Sequence, residues 1–208
     1  MMTFCVTVSI PYMLKSAILT TFKDLLEAAA AAGAAEPEAM CLATADEAGR
    51  ISARMVLLKG VDMRGFCFFS HHDSDKGRQL AAHPRAALCF HWEKLGRGVQ
   101  VRVEGMVEKI DAADSDAYFA TRPRPSQLGA WASRQSRKLA SREAFAQQLA
   151  ELEDRFEGDE VPRPPHWGGY RLKPDRIEFW YGAEFRLHDR ECWTLDATGE
   201  WQCRRLYP

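Results

Sequence analysis

Between Tyr118 and Ser136 the chain reads YFATRPRPSQLGAWASRQS, and several of its side chains are of the kinds that hold a phosphate. Tyr118 and Arg122 stand four residues apart at the end of a predicted helix, so they share a face. Ser126 follows one short loop step later. A phenol, a guanidinium and a hydroxyl together match phosphate oxygens, and the guanidinium takes two at once. From Arg122 to Arg142 there are six basic side chains and no acidic one. The competing readings of this stretch are a proline-flanked SH3 ligand, a nucleic-acid patch and an inert loop. Net charge is −1, from 28 basic and 29 acidic residues. A chain with no overall positive field argues against nucleic acid.

A second group is RLHDR, residues 186–190. An unbroken strand would point Arg186, His188 and Arg190 to one face, about 6.5–7 Å apart per step. Such a row suits an anion or an electron-rich ring; a sheet face with charges paired across strands is the alternative. In RMVLLK, Arg54 and Lys59 are five residues apart, which in one strand means opposite faces. They serve two ligands, or Lys59 lies past the strand end. Trp131, Trp180 and Tyr181 are either core or the walls of a flat-ligand site. His71, His72 and Asp73 are adjacent on one segment, a weak pattern for a metal, and none is expected. The six cysteines form no C-x-x-C pair and read as free thiols of a reducing cytosol.

The elements that must position these groups follow from periodicity. Residues 16–32 read as a helix, with Leu19, Phe22, Leu26 and Ala29 on one side and Gly33 as the stop. Strands are predicted over 40–46 and 50–59, joined by a turn at Gly49, and over 65–70, 85–92 and 99–110. A helix over 74–84 is capped by Ser74 and ended by Pro84. Asp111 caps a helix over 112–121, and 142–157 forms a further amphipathic helix. Pro123 and Pro125 are expected to keep Arg122 and Arg124 out of helix. Three strands close the chain, within 170–182, 184–196 and 201–208. This is a mainly β chain with peripheral helices, an α+β barrel. Residues 1–35 read as an N-terminal extension with a helix, and 36–208 as one domain. No apolar run of about 18 residues is present, so no membrane span is expected and the cytoplasm is the default. Neither a Rossmann nor a P-loop glycine pattern occurs.

RMVLLK, SDKGRQL, YFATRPRPSQLGAWASRQS, PPHWGGYRL, IEFWYGAEFRLHDR and the terminal RRLYP resemble, in order and spacing, the pyridoxine/pyridoxamine 5′-phosphate oxidase family, from about Glu36 to Pro208. The resemblance implies an FMN-binding split β-barrel and a homodimer with two active sites at its interface. By position it implies FMN contacts from Arg54, Phe69, Ser70, Lys76, Gln100, Gln135, Ser136, Trp180 and Arg190. It implies a substrate phosphate pocket of Lys59, Tyr118, Arg122 and Ser126, with Arg186 and His188 as catalytic residues beside the pyridine ring. The implied reaction oxidises pyridoxamine or pyridoxine 5′-phosphate to pyridoxal 5′-phosphate, with dioxygen as acceptor and peroxide as by-product. Three places depart from the pattern. Asp75 stands where a basic residue is usual, Pro125 replaces a polar one, and the turn before Gln100 is about two residues longer.

Overall fold

The computed structural model describes residues 12–208. The apolar opening from Met1 to Pro11, with Cys5, lies outside them. Nine strands among the described residues form one antiparallel sheet, in the order β2-β1-β5-β6-β7-β4-β3, with β8 beside β7 and β9 beside β8. The strands are β1 (Ala39–Ala45), β2 (Ile51–Leu57), β3 (Gly60–Asp62), β4 (Gly65–His71), β5 (Arg85–Trp92), β6 (Val99–Lys109), β7 (Trp167–Tyr181), β8 (Asp189–Leu195) and β9 (Trp201–Arg205). The helices are α1 (Ser16–Ala31), α2 (Asp75–Ala82), α3 (Ala112–Ala120), α4 (Arg124–Ala132) and α5 (Arg142–Arg155).

Strand β7 organises the curl of the sheet. One edge pairs with β6 over Tyr170–Tyr181. The other edge pairs with β4 over Trp167–Leu172 and with β8 over Arg176–Tyr181. The change of partner coincides with Pro174, which has no N–H to donate, and with a bulge between Glu104 and Gly105 opposite it. A side chain at Gly105 would lie 2.1 Å from the Lys173 carbonyl, so only glycine lets the strands close here.

Period-two alternation fills the interior. Met40 and Leu42, Leu88 and Phe90, Val101 and Val103, and Ile177 and Phe179 are all fully buried. Helix α1 packs over this core through Ile18 and Phe22, the Phe22 ring edge-on to Phe66 at 4.9 Å and to Phe90 at 5.0 Å. A smaller apolar cluster of Phe119, Leu128, Phe156, Val161 and Trp167 ties α3, α4 and α5 to the start of β7.

Three expectations are corrected. A further short strand, β3, lies at Gly60–Asp62 between the strands predicted over 50–59 and 65–70. Arg122 stays out of helix as expected, but Arg124 does not: Pro123 is the N-cap of α4, Arg124 is its first residue and Pro125 sits in its first turn. The first turn needs no backbone donor and favours proline's fixed φ, so the residue type is compatible with both roles. Arg124 is thereby turned to structure. Its guanidinium donates to the carbonyls of Phe156 at 2.6 Å and Asp159 at 2.9 Å, just past the end of α5. Finally, RLHDR is not one strand. Residues Glu184–Arg186 form a 3-10 turn with Phe185 and Arg186 at φ 54° and 62°, and β8 begins only at Asp189. Arg186 and His188 therefore leave the row that alternation assigned them, and only Arg190 keeps its strand position.

Candidate active site

A cavity of about 980 Å³ opens between the end of β2, the end of β4, the start of α2, and the α3–α4 corner. Each wall has a local cause. Ser74 caps α2 by accepting from the Gly77 N–H, which directs the first turn of that helix, with Asp75 and Lys76, at the cavity. The α3–α4 corner brings in Tyr118, Arg122 and Ser126. Lys59 lies two residues past β2, its backbone tied to Cys67, which settles its open placement: it is beyond the strand end. The loop after α4 contributes Gln135 and Ser136, the latter at φ 69°.

The polar groups are interlocked. Gln135 Oε1 accepts from Lys76 Nζ at 2.8 Å and from Ser70 Oγ at 3.1 Å. Ser136 Oγ accepts from the Asp75 N–H at 3.2 Å. Arg54 donates to Thr44 Oγ1 at 2.6 Å, to the Leu42 carbonyl at 3.1 Å and to Gln79 Oε1 at 3.1 Å. Burial holds Arg54 below its ordinary range, and Lys76 likewise, with Arg54 adding to the effect on the lysine. Arg122 lies over the Trp167 ring, 4.7 Å from its centroid, and its buried NH1 has no hydrogen-bond partner among the described residues. Burial lowers its pKa too. Phe69 stacks on Tyr118 at 3.9 Å, giving the cavity an aromatic side.

Four basic side chains thus face the cavity against one acid, Asp75, whose carboxylate is ion-paired with Arg78. Desolvated cations with unspent donors are a site for anions carrying several oxygens. Sequence reading missed Thr44 and Gln79, which orient Arg54, and Trp167, which lines the wall; it weighed His71, also on that wall, only for a metal. Gln79 had a signal, since it lies three residues after Lys76 on α2 and so shares its side.

His71 carries a pH dependence. It is 6% exposed and stacked on His166 at 5.2 Å. Burial first, then His166, Lys76 and Arg122, push its pKa from 6.5 down to about 4. The unfolded chain therefore takes up this proton first. The contribution to stability is complete above the ordinary value and is lost as pH falls from 6.5 towards 4, by at most about 3 kcal/mol. Urea unfolding across this window is expected to show a steeper loss for the parent than for His71→Asn; equal losses would exclude the assignment.

The remaining predicted site residues form a second group that lines none of this cavity. Gln100, Trp180 and Arg190 are in register across β6, β7 and β8. The His188 ring lies 4.4 Å from Trp180, and its Nδ1 accepts from the Ala183 N–H at 3.2 Å. Arg186 stands in the left-handed turn between them. Trp131 is in neither group; it lines an adjoining cavity of about 450 Å³ and donates to the Pro162 carbonyl at 2.7 Å. Tyr181 packs against the main core.

Residues 26–156 match the family model described as pyridoxamine 5′-phosphate oxidase, and residues 167–208 match that of the pyridoxine 5′-phosphate oxidase C-terminal dimerisation region. The chain belongs to the pyridoxamine 5′-phosphate oxidase family. Within that family it is 56% identical to a pyridoxine/pyridoxamine 5′-phosphate oxidase of Xanthomonas euvesicatoria pv. vesicatoria, over 91% of this chain and 96% of the relative. A protein of the same name from Myxococcus xanthus is 54% identical over 90% of this chain and 89% of its own. Among solved structures, PhzG from Burkholderia lata 383, crystallised with tetrahydrophenazine-1-carboxylic acid, superposes with a TM-score of 0.86 at 35% identity. That match covers 92% of each chain. An FMN-binding, pyridoxamine 5′-phosphate oxidase-related protein from Nostoc punctiforme shares the fold at a TM-score of 0.71 and 15% identity, with 91% of this chain and 96% of its own covered. The family's split barrel is the architecture described above.

Proposed function

We propose that this chain is an FMN-dependent oxidase that converts pyridoxamine and pyridoxine 5′-phosphate to pyridoxal 5′-phosphate with dioxygen as acceptor. The observation that carries this reading is the buried, unpartnered NH1 of Arg122, in a cavity that Lys59, Tyr118 and Ser126 also line. A phosphate monoester brings close to two negative charges and three acceptor oxygens, which this donor set matches.

In this reading the same cavity also takes FMN. Arg54 and Lys76 would hold the flavin phosphate beside the first turn of α2, with Ser136 and Gln135 adjoining and Phe69 and Ser70 at the β4 end. Asp75 works against a second dianion there, and its pairing with Arg78 offsets part of that cost. When bound, the flavin supplies the redox step. The residues of the chain bind and aim. Arg122 and Lys59 anchor the substrate phosphate, and the anchored end fixes where the pyridine ring falls.

Gln100, Trp180, Arg186, His188 and Arg190 complete the site from a second copy of the chain in this reading. They lie within or beside the matched dimerisation region, and Phe185 and Leu187 at their tip are 86% and 68% exposed. His188 then hydrogen-bonds the ring or its substituent, and Arg186 stabilises charge on it.

The test is optical. Purified protein is expected to show flavin absorbance that bleaches on anaerobic addition of pyridoxamine 5′-phosphate. Flavin that stays oxidised with both phosphorylated substrates would overturn the proposal.

A further inference from the structure

Glu178 sits on β7 two residues before Trp180, so both point to the same side of the sheet. Its side chain is 3% exposed, and three guanidiniums surround it. Arg190 donates Nε to Oε1 at 2.8 Å, and its NH2 lies 2.8 Å from the same oxygen in an ion pair. Arg102 and Arg176 approach Oε2 only to 3.7 and 3.6 Å, beyond hydrogen-bond range. Burial favours the protonated acid, but the Arg190 hydrogen bond and the surrounding charges outweigh it and hold Glu178 below the usual glutamate range.

Arg190 is also gripped from a second side, since its NH1 donates to the Tyr207 carbonyl at 2.9 Å. A guanidinium has five N–H bonds in a rigid plane. One is committed to Glu178 and one to Tyr207, from different sides of the group, and the ion pair adds to the hold, so the plane is fixed. Trp180 is the register partner of Arg190, so the two residues stand opposite each other on neighbouring strands.

We propose that Glu178 is a positioning residue for the cofactor: it locks the Arg190 guanidinium so that its free edge meets the flavin. This rests on the reading in which Arg190 contacts FMN. An unlocked arginine would have to be ordered at each binding event, at an entropic cost. The competing role is neutralisation of Arg102 and Arg176 alone. Glu178→Asp separates the two, because it keeps the buried charge among those arginines but withdraws it from Arg190.

The experiment titrates full-length, flavin-stripped protein with FMN and follows quenching of flavin fluorescence, with thermal melting recorded in parallel. The parent, E178D, R190A and the double variant are compared. R190A is expected to weaken FMN binding by roughly 10–100-fold, and E178D by about tenfold, in line with residues that orient a ligand-contacting group. In the R190A background, E178D should cost nothing more, since Glu178 acts through Arg190. The visible circular dichroism of bound flavin should change in E178D. If E178D binds FMN like the parent, or loses the same factor in both backgrounds, the proposal is overturned. If R190A itself binds FMN like the parent, the underlying assignment of Arg190 to the flavin fails instead.

Discussion

Replacing Arg122 with alanine is expected to raise KM for pyridoxamine 5′-phosphate by roughly a hundredfold, the equivalent of about 3 kcal/mol for a desolvated charge-assisted contact. The size follows from where the guanidinium sits. It lies over Trp167, half-buried, with one terminal nitrogen unpaired. Water cannot replace it at that depth without loss of the aromatic contact. FMN affinity should change far less, because Arg54 and Lys76 reach a different part of the cavity wall. Arg122→Lys should recover only part of the loss, since an ammonium keeps the charge but not the two-pronged geometry. Steady-state kinetics with and without the substrate phosphate decide the matter. A similar KM increase for a non-phosphorylated ring substrate would assign Arg122 to the ring and favour an oxidase of another ring system.

The second large effect concerns the two separated groups of site residues. Arg122→Ala disables the cavity and leaves the Arg186 tip intact; Arg186→Ala does the reverse. If each site joins a cavity to the tip of a second copy, a mixed dimer holds one site with both defects and one with neither. Co-refolding two nearly inactive variants is then expected to restore roughly a quarter of the parental activity, since about half of the random dimers are mixed and each has one intact site of two. Sites built within single chains would give no recovery. Activity of the mixture at the level of the separate variants would therefore overturn the shared-site proposal.

Much of the scaffold was legible because local signals agreed. Ser74 capping α2, Asp111 capping α3 and the strict alternation of β6 each point to one conformation. Helix α4 was not legible, because Pro123 and Pro125 are compatible both with a break and with a first turn. The turn at Phe185 and Arg186 carried no warning either, since neither residue is one that favours positive φ. Arg54, Lys76 and Arg122, proposed here to touch ligands, were singled out by several motifs read together, and the fold brings them to one cavity. Residues that act through another side chain were not. Thr44, Gln79 and Glu178 show their purpose only once the arginines they hold are in place.

Strand β7 is also a ruler. Trp167 at one end lines the cavity and Trp180 near the other belongs to the second group, with fifteen residues in the strand. At extended-chain rise the strand measures roughly 50 Å or slightly less. In a symmetric dimer one rod would therefore calibrate two different reaction centres. Inserting a single residue between Pro174 and Trp180 would turn the indole to the other side of the sheet and shift its distance at once. In that arrangement the count of residues along β7 is held by both ends of the strand at once.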